Sequence, residues 1–273
     1  MVKCNDWPIA LCSWSMKNDL DAIKKLADET GFTHLHLGVS PALGADGKSY
    51  LAKVKATGLE VSATMIDFAH EDYSTLESIR LTGGIVPDEH WAADKAAVFA
   101  AIDATVELGV DLLSLHFGFL DMEDADMAGK LLERASVLGD YAQANGITLL
   151  METGQETAEE LKGFLETLSH PAFAVNFDPA NMILYGKGNP IDVVKVLAPW
   201  IKHVHIKDAT KTETPGTWGA EVPWSTGQVN ADEFLKALKD IGFEGALAVE
   251  REAGDDRPGD ITLAIKHLIA FKG

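Results

Sequence analysis

Residues 201–208 read IKHVHIKD, a short segment in which apolar and ionisable side chains alternate. Successive side chains of a β-strand point to opposite faces, so His203, His205 and Lys207 are expected on one face and the apolar residues between them on the other. A strand of a parallel sheet is buried on both faces and is normally almost continuously apolar. Three ionisable side chains on one buried face therefore indicate a functional site inside the fold.

Seven further short apolar segments lie along the chain, separated by longer amphipathic patterns. The eight predicted strands are IALCSWS (9–15), THLHLGV (33–39), LEVSATMIDF (59–68), LLSLHFGF (112–119), ITLLMET (147–153), FAVNFD (173–178), IKHVHIKD (201–208) and ALAVERE (246–252). Strands that alternate with helices predict βαβ units and a parallel sheet. Eight strands, each followed by a helix, predict a closed (β/α)8 TIM barrel. We expect a single domain over residues 1–273, because no linker or shift of composition divides the chain.

The helical patterns between the strands support this architecture. Three of them are DLDAIKKLADETG (19–31), HWAADKAAVFAAIDATVELG (90–109) and ADMAGKLLERASVLGDYAQANG (125–146), and each closes at a glycine, a common helix stop. A last helix, DITLAIKHLIAFKG (260–273), follows the eighth strand. After the first strand the chain reads SWSMKND and has no GxGxxG turn, which argues against a dinucleotide-binding sheet.

Four of the predicted strands carry an acidic or imidazole side chain near their C-terminal ends. They are the fifth to the eighth strand, with Glu152, Asp178, His205 and Glu250. These strands are neighbours in a closed barrel, so the four side chains are expected to meet at one face. Buried carboxylates repel one another and lose several kcal/mol each in solvation, and a dication relieves both effects. Carboxylate and imidazole ligands suit magnesium, manganese, cobalt or zinc. The sequence therefore predicts one divalent metal ion at this face.

Other inward-facing histidines have weaker patterns. His36 and His203 are interpreted as histidines of the barrel core. His116 lies closer to the C-terminal face and is a candidate for substrate contact.

The strand ends also carry a resemblance to a known family. The motifs are LLMET with Glu152, NFDPAN with Asp178, HVHIKD with His205 and AVERE with Glu250, together with the loop VPWSTGQVN (222–230). Over essentially its whole length the chain resembles the xylose isomerase-like barrel superfamily of sugar phosphate isomerases and epimerases. The four residues match the metal ligands of its ketose 3-epimerases, which bind manganese, magnesium or cobalt. The resemblance implies that Glu152 and Glu250 transfer protons from opposite sides of a bound sugar.

Three positions depart from the family pattern. Asn181 stands where many members have a histidine, which counts against the endonuclease IV-like repair branch. Ketose 3-epimerases have a glutamate at the position of Ala158, where Glu156 is nearby, and an arginine at the position of Lys211. The metal site is therefore the firmer expectation, and the exact reaction stays open.

The expected function is a metal-dependent isomerase or epimerase that acts on a sugar or sugar phosphate by proton transfer and an ene-diolate intermediate. A lyase or dehydratase acting on a keto-sugar, keto-inositol or dehydroshikimate-like substrate is the main alternative. A non-catalytic sugar-binding barrel is a further one. The candidate substrate-binding residues are His116, Asn181, Lys207, Arg251 and Trp224.

Two long connections, residues 69–91 and 209–229, follow the third and the seventh strand. Both are expected at the C-terminal face, where barrel enzymes have their active sites. They contain Trp91, Trp218 and Trp224, and we expect these rings near the open face as a lid over a carbohydrate.

Composition limits the partners. The net charge of −19 disfavours nucleic acid, whose phosphates such a surface repels. No apolar run is long enough to span a bilayer, and the first residues do not read as a signal peptide. The two cysteines, Cys4 and Cys12, form no metal or redox motif. A cytoplasmic protein with a small sugar or sugar phosphate as partner is expected, and self-association into a homo-oligomer is possible.

Overall fold

The structure, a computed structural model, describes residues 2–273. Eight parallel strands form the barrel: β1 (Trp7–Cys12), β2 (His34–Gly38), β3 (Glu60–Ile66), β4 (Leu112–Leu115), β5 (Thr148–Glu152), β6 (Phe173–Phe177), β7 (Ile201–Ile206) and β8 (Leu247–Val249). A two-residue strand, Lys3–Cys4, pairs with β1 in the antiparallel direction. Each strand pairs with its neighbours in sequence, and β1 pairs with both β2 and β8. The sheet is therefore closed, which confirms the predicted TIM barrel.

Ten α-helices surround the barrel in the described part of the chain. They are α1 (Leu20–Thr30), α2 (Gly47–Ala56), α3 (Leu76–Thr82), α4 (Trp91–Leu108), α5 (Ala125–Ala144), α6 (Ala158–Leu168), α7 (Pro179–Leu184), α8 (Pro190–Leu197), α9 (Ala231–Asp240) and α10 (Arg257–Ala270). The glycine stops of two long helices are as predicted. Gly31 and Gly109 end α1 and α4 in the left-handed conformation, with φ of 84° and 74°, which residues with a side chain rarely adopt.

Some element boundaries differ from the sequence prediction. Helix α10 begins at Arg257 rather than at Asp260, because the Asp256 side chain caps it and Pro258 fits its first turn. Helix α7, PANMIL, was not predicted. It starts directly after Asp178, whose carboxylate accepts hydrogen bonds from the backbone N–H groups of Ala180 and Asn181. A short segment between two strands thus takes a helical turn at the edge of the site.

Alternation along the strands divides the buried side chains into two layers. The outward set packs with the helices in one large apolar core, which includes Leu35, Val175, Val204 and Val249. The interior of the barrel is filled by smaller and polar side chains, among them Cys12, His36, His203 and Asn176, all at most 1% exposed. The polar groups are therefore concentrated on the inner face, as the alternation in residues 201–208 predicts.

The two long connections have structure of their own. The first contains α3, and the second folds into an antiparallel hairpin formed by Asp208–Thr210 and Ala220–Val222. Both follow the C-terminal ends of their strands and form part of the wall above the barrel. Among the described helices, none combines the length and the apolar character needed to cross a membrane.

Candidate metal centre and active-site cavity

The four residues expected to bind a metal meet at the C-terminal mouth of the barrel. One ligand atom from each of Glu152, Asp178, His205 and Glu250 lies within 4.8 Å of all the others. His205 Nδ1 is central to the group, 2.8 Å from Glu250 Oε2 and 3.5 Å from both Glu152 Oε1 and Asp178 Oδ2. All four side chains are buried.

Three of the converging atoms have no hydrogen-bond partner in the described residues: Asp178 Oδ2, His205 Nδ1 and Glu250 Oε2. Buried polar atoms are rarely left without a partner, since each costs free energy. Two carboxylate oxygens and an imidazole nitrogen that point at one spot are the donor set that a divalent cation binds. The residues present therefore fit the predicted metal ion.

The remaining atoms of these residues are held by the surrounding protein. Asp178 Oδ1 accepts hydrogen bonds from the backbone N–H groups of Ala180 and Asn181, at 2.8 and 3.0 Å, which leaves Oδ2 free. Glu152 accepts hydrogen bonds from the side-chain amides of Asn176 and Asn181. Trp14 Nε1 donates to Glu250 Oε1 at 2.8 Å. Each carboxylate is therefore fixed before any ligand binds.

The electrostatics of the cluster keep its acids ionised. Burial alone would raise the pKa of Glu152, but the positive charges of His205 and His116 lower it to about 2. Burial also opposes the ionised form of Glu250, yet Lys207 and His205 lower the pKa of this carboxyl. Burial lowers the pKa of His205, but its acidic neighbours Cys12, Glu250 and Glu152 leave it well above the ordinary value.

A cavity of about 650 Å³ opens above the four residues, a volume typical of sites for small ligands. Three of the predicted substrate-binding residues line it: His116, Asn181 and Lys207. Burial lowers the pKa of His116, but Glu152 and Glu71 outweigh burial and raise it. His116 is therefore biased towards its charged form, in which it donates hydrogen bonds.

The structure places the other two predicted substrate-binding residues elsewhere. Arg251 follows the inward-facing Glu250 but is not a lining residue of the cavity. Its guanidinium pairs at 2.7 Å with Glu221, which does line the cavity, and at 2.9 Å with Asp260. Trp224 packs against α9 and α10, and its Nε1 donates to His267 Nδ1 at 3.0 Å. Both side chains hold the surrounding loops together, so we leave them out of the proposed substrate site.

The three tryptophans expected to form a lid do not all lie at the cavity. Trp218 lines the cavity next to Tyr185, with ring centroids 4.8 Å apart. Trp91 begins α4 and packs instead under the guanidinium of Arg134, 5.0 Å from the centre of the ring. Only Trp218 of the three is in a position to contact a ligand.

Several cavity residues were not predicted from the sequence. The most prominent are Trp14, Glu71, Tyr73, Tyr185 and Glu221. All lie in loops or short elements after the strands, where periodicity gives no direction for a side chain. The two long connections were the one sequence feature that pointed to some of these cavity residues, because Glu71, Tyr73 and Glu221 belong to them.

The family of the chain follows from its match to a family model. Residues 13–271 match the model described as xylose isomerase-like TIM barrel. This chain belongs to the xylose isomerase-like TIM barrel family. The resemblance carried by the strand-end motifs is thereby confirmed.

Solved structures of the family share the whole fold. A xylose isomerase domain protein from Planctomyces limnophilus is 28% identical with a TM-score of 0.84, covering 96% of this chain and 95% of its own. A family protein from Mycobacterium smegmatis, in complex with magnesium, is 20% identical with a TM-score of 0.75, covering 98% and 97%. A D-tagatose 3-epimerase-like protein is 18% identical with a TM-score of 0.72, covering 96% of both chains.

Curated relatives match over shorter stretches. YihM of Escherichia coli (strain K12), an uncharacterised protein, is 27% identical over 168 residues, which is 61% of this chain and 48% of that protein. The inosose dehydratase of Clostridium botulinum (strain Alaska E43 / Type E3) is 26% identical over 145 residues, 47% of this chain and 48% of that enzyme. The chain thus spans about half the length of these relatives. Named relatives include an epimerase-like protein and dehydratases, so the family is one of enzymes.

Proposed function

We propose that this protein is a divalent-metal-dependent isomerase or epimerase that moves a proton next to the carbonyl group of a sugar or sugar phosphate, through an ene-diolate intermediate. The observation that carries the proposal is the convergence of Glu152, Asp178, His205 and Glu250 on one point below an open cavity. A dication bound there would polarise a substrate carbonyl and stabilise negative charge on its oxygen.

Glu152 and Glu250 are the proposed proton-transfer groups. They come from β5 and β8, on different sides of the barrel mouth, and both line the cavity. One carboxylate removes the proton from the carbon beside the carbonyl, and the other, which takes up a proton from solvent for this step, delivers it to the opposite face of that carbon. Exchange with solvent restores both carboxyl groups, so solvent hydrogen enters the product.

Asp178 and His205 act as ligands, and the other lining groups orient the substrate. His116, Lys207 and Asn181 all reach the cavity with donor groups. Their donors suit hydroxyl and carbonyl oxygens of a sugar.

Deuterium exchange tests the proposal. Protein stripped with a chelator and reloaded with Mn²⁺ or Mg²⁺ is incubated in D₂O with a panel of ketoses, keto-sugars and their phosphates. We expect one deuterium at the carbon next to the carbonyl, dependent on the metal and absent in Glu152→Gln. A loaded, folded protein that exchanges no proton with any member of the panel would contradict the proposal.

A dehydratase is the second candidate, favoured by one feature of the site and one relative. The raised pKa of His116 makes it a suitable acid to protonate a departing hydroxyl group, and an inosose dehydratase is among the relatives. The same incubation separates the two functions. An epimerase incorporates deuterium and keeps the elements of water, whereas a dehydratase releases water and forms an unsaturated ketone.

A further inference from the structure

The walls of the active-site cavity carry an excess of acidic side chains. Six lining residues are carboxylic acids: Asp67, Glu71, Glu152, Glu221, Glu250 and Glu252. The basic side chains in the same lining are Lys207 and His116. One dication together with these two groups balances only part of the negative charge. The net charge of −19 on the whole chain adds a field of the same sign.

Apart from His116, the cationic side chains near the cavity are already paired. Lys207 Nζ lies 3.2 Å from Glu250 Oε1, 3.1 Å from Glu252 Oε2 and 3.6 Å from Asp178 Oδ2. The Arg251 guanidinium is held by Glu221, which lines the cavity, and by Asp260, which does not. A phosphate group would have to break such pairs to find a cationic side chain other than His116.

Acidic residues also occupy the segments where barrels commonly bind phosphate. That site is often formed by the loops after strands seven and eight and a helix N-terminus. Here the loop after β8 contains Glu252, Asp255 and Asp256, and the Asp256 carboxylate accepts the N–H of Gly259 at the start of α10. The first turn of α9 carries Asp232 and Glu233. These helix N-termini are thus occupied or shielded by negative charge.

We propose that the substrate of this cavity is an uncharged keto compound with several hydroxyl groups, and not a phosphate ester. This inference rests on the proposed function and narrows its substrate class. The negative walls repel a phosphate dianion, while the same carboxylates accept hydrogen bonds from hydroxyl groups. Asn181 and Lys207 donate to hydroxyl and carbonyl oxygens.

Paired probes test the substrate class. The Mn²⁺-loaded protein is titrated with free five- and six-carbon ketoses and a keto-inositol, each alongside its monophosphate, and binding is followed by tryptophan fluorescence, since Trp14 and Trp218 line the cavity. We expect at least one free compound to bind about tenfold or more tightly than its ester. Tighter binding of the esters, or no binding of any free compound, would overturn the inference.

Deuterium exchange run on the same samples separates this inference from the proposed function. Exchange on a tightly bound ester would leave the proposed function intact and contradict the substrate class. A free ketose that binds tightly but exchanges no proton would support the substrate class and contradict the proposed function.

A second inference comes from the barrel interior, below the metal centre. His205 Nε2, the ring nitrogen that faces away from the carboxylates, lies 3.0 Å from His36 Nδ1. The other nitrogen of His36 lies 3.3 Å from the carbonyl oxygen of Thr64. A carbonyl oxygen only accepts hydrogen bonds, so His36 Nε2 carries a proton and donates it.

The contacts of His36 assign its other ring nitrogen, Nδ1, as an acceptor. His36 is completely buried, and its described polar contacts are with His205, Cys12 and the Thr64 carbonyl, without a carboxylate. With its proton on Nε2, the His36 ring has its lone pair on Nδ1, directed at His205.

This lone pair selects the ring form of His205 that a metal needs. To bind a cation through Nδ1, a neutral His205 must carry its proton on Nε2, and His36 Nδ1 accepts that proton. Asn176 Nδ2 also lies 3.0 Å from His205 Nε2 and 3.3 Å from Glu152 Oε2, but an amide nitrogen only donates and cannot accept the Nε2 proton. We propose that His36 is a positioning residue that orients His205 and presents its Nδ1 lone pair to the metal.

Metal affinity and ring protonation test this role without an activity assay. His36→Phe removes the acceptor, and we expect Mn²⁺ binding, followed by electron paramagnetic resonance, to weaken about 10- to 100-fold. His36→Gln, which keeps an acceptor oxygen, should retain more affinity. His34→Gln, two residues earlier in the same strand, should bind as the wild type does.

Nitrogen NMR of histidine-labelled protein loaded with Zn²⁺ or Mg²⁺ needs no variant at all. We expect the proton of His205 on Nε2 and that of His36 on Nε2. A proton on Nδ1 of His205 in the loaded protein, or unchanged affinity in a folded His36→Phe variant, would overturn the inference. Binding of a second Zn²⁺ ion that is lost in the Cys12→Ser variant would also overturn the inference. In that case His36 Nδ1 would be a metal ligand rather than an acceptor for His205.

Discussion

His205 Nδ1 and Glu250 Oε2 lie 2.8 Å apart at the mouth of the barrel, and neither atom makes a hydrogen bond within the described residues. The lost solvation of these two buried atoms is therefore not compensated by a hydrogen bond. A cation bound between them and the carboxylates of Glu152 and Asp178 would provide the missing interaction.

Metal binding should therefore stabilise the fold. Against chelated protein, Mn²⁺ at about a hundred times its Kd is expected to add roughly 2.7 kcal/mol to the free energy of unfolding, measured by urea denaturation. Asp178→Asn is the matched variant, because asparagine also caps α7 but supplies no charged ligand. A gain in stability that persists in Asp178→Asn, or no gain in the wild type, would contradict the proposed ligands.

The two glutamates should be essential for turnover. Glu152→Gln and Glu250→Gln are each expected to lower the rate of metal-dependent proton exchange by about 10²- to 10⁴-fold, because an amide does not take up the proton. Circular dichroism checks that the fold is retained. Glu252→Gln, at the rim of the cavity, is the control and should lose less than about tenfold. Equal losses in all three variants would argue against specific roles for Glu152 and Glu250.

A buried acid behind the site should make stability depend on pH. Burial raises the pKa of Glu156 from 4.5 to about 7. The folded state therefore holds this proton more tightly than the unfolded state, and stability falls as pH rises between these two values. This loss in the free energy of unfolding is absent below about pH 4.5 and complete above about pH 7, where it amounts to roughly 3 kcal/mol.

Glu156→Gln should remove this loss. We expect the variant to be more stable than the wild type by roughly that amount at pH 8 and nearly equal to it near pH 5, by urea denaturation at both pH values. The exposed Glu159→Gln is the control. A stabilisation that is the same at both pH values would show that ionisation of Glu156 is not its cause.

Arg251 should contribute to stability rather than to substrate binding. Its guanidinium pairs with Glu221 and Asp260, and all three are shielded from solvent to a large extent. Arg251→Met leaves both carboxylates without their partner, and we expect a loss of about 3 kcal/mol in the free energy of unfolding. A variant with wild-type stability and a raised KM would instead indicate direct contact with the substrate.

The strands and the convergence of the four proposed metal ligands were predictable, because both follow from the two-residue alternation of side chains along a strand and from the common direction of the strands. Alternation in β7 placed His205 inside, and the common direction of parallel strands brought Glu152, Asp178 and Glu250 to the same end. The family match confirms the fold that this pattern predicted.

The surroundings of the site were not predictable in the same way. Trp14 reaches Glu250 because the chain turns after β1 into the short 3-10 helix Ser13–Met16, and no strand or helix period anticipates that turn. The pairing of Arg251 with Glu221 was not predictable either, because Glu221 lies on a hairpin within a long connection. The contact of His36 with His205 joins strands from opposite ends of the chain, which only the closed barrel brings together.

Diffraction from a crystal of the protein soaked in Mn²⁺, recorded at the manganese absorption edge, tests the metal centre most directly. We expect one anomalous peak at the barrel mouth, coordinated by Glu152, Asp178, His205 and Glu250. A map with no peak there, or with the cation bound by other residues while these four side chains point apart, would contradict the metal centre on which the proposed chemistry depends.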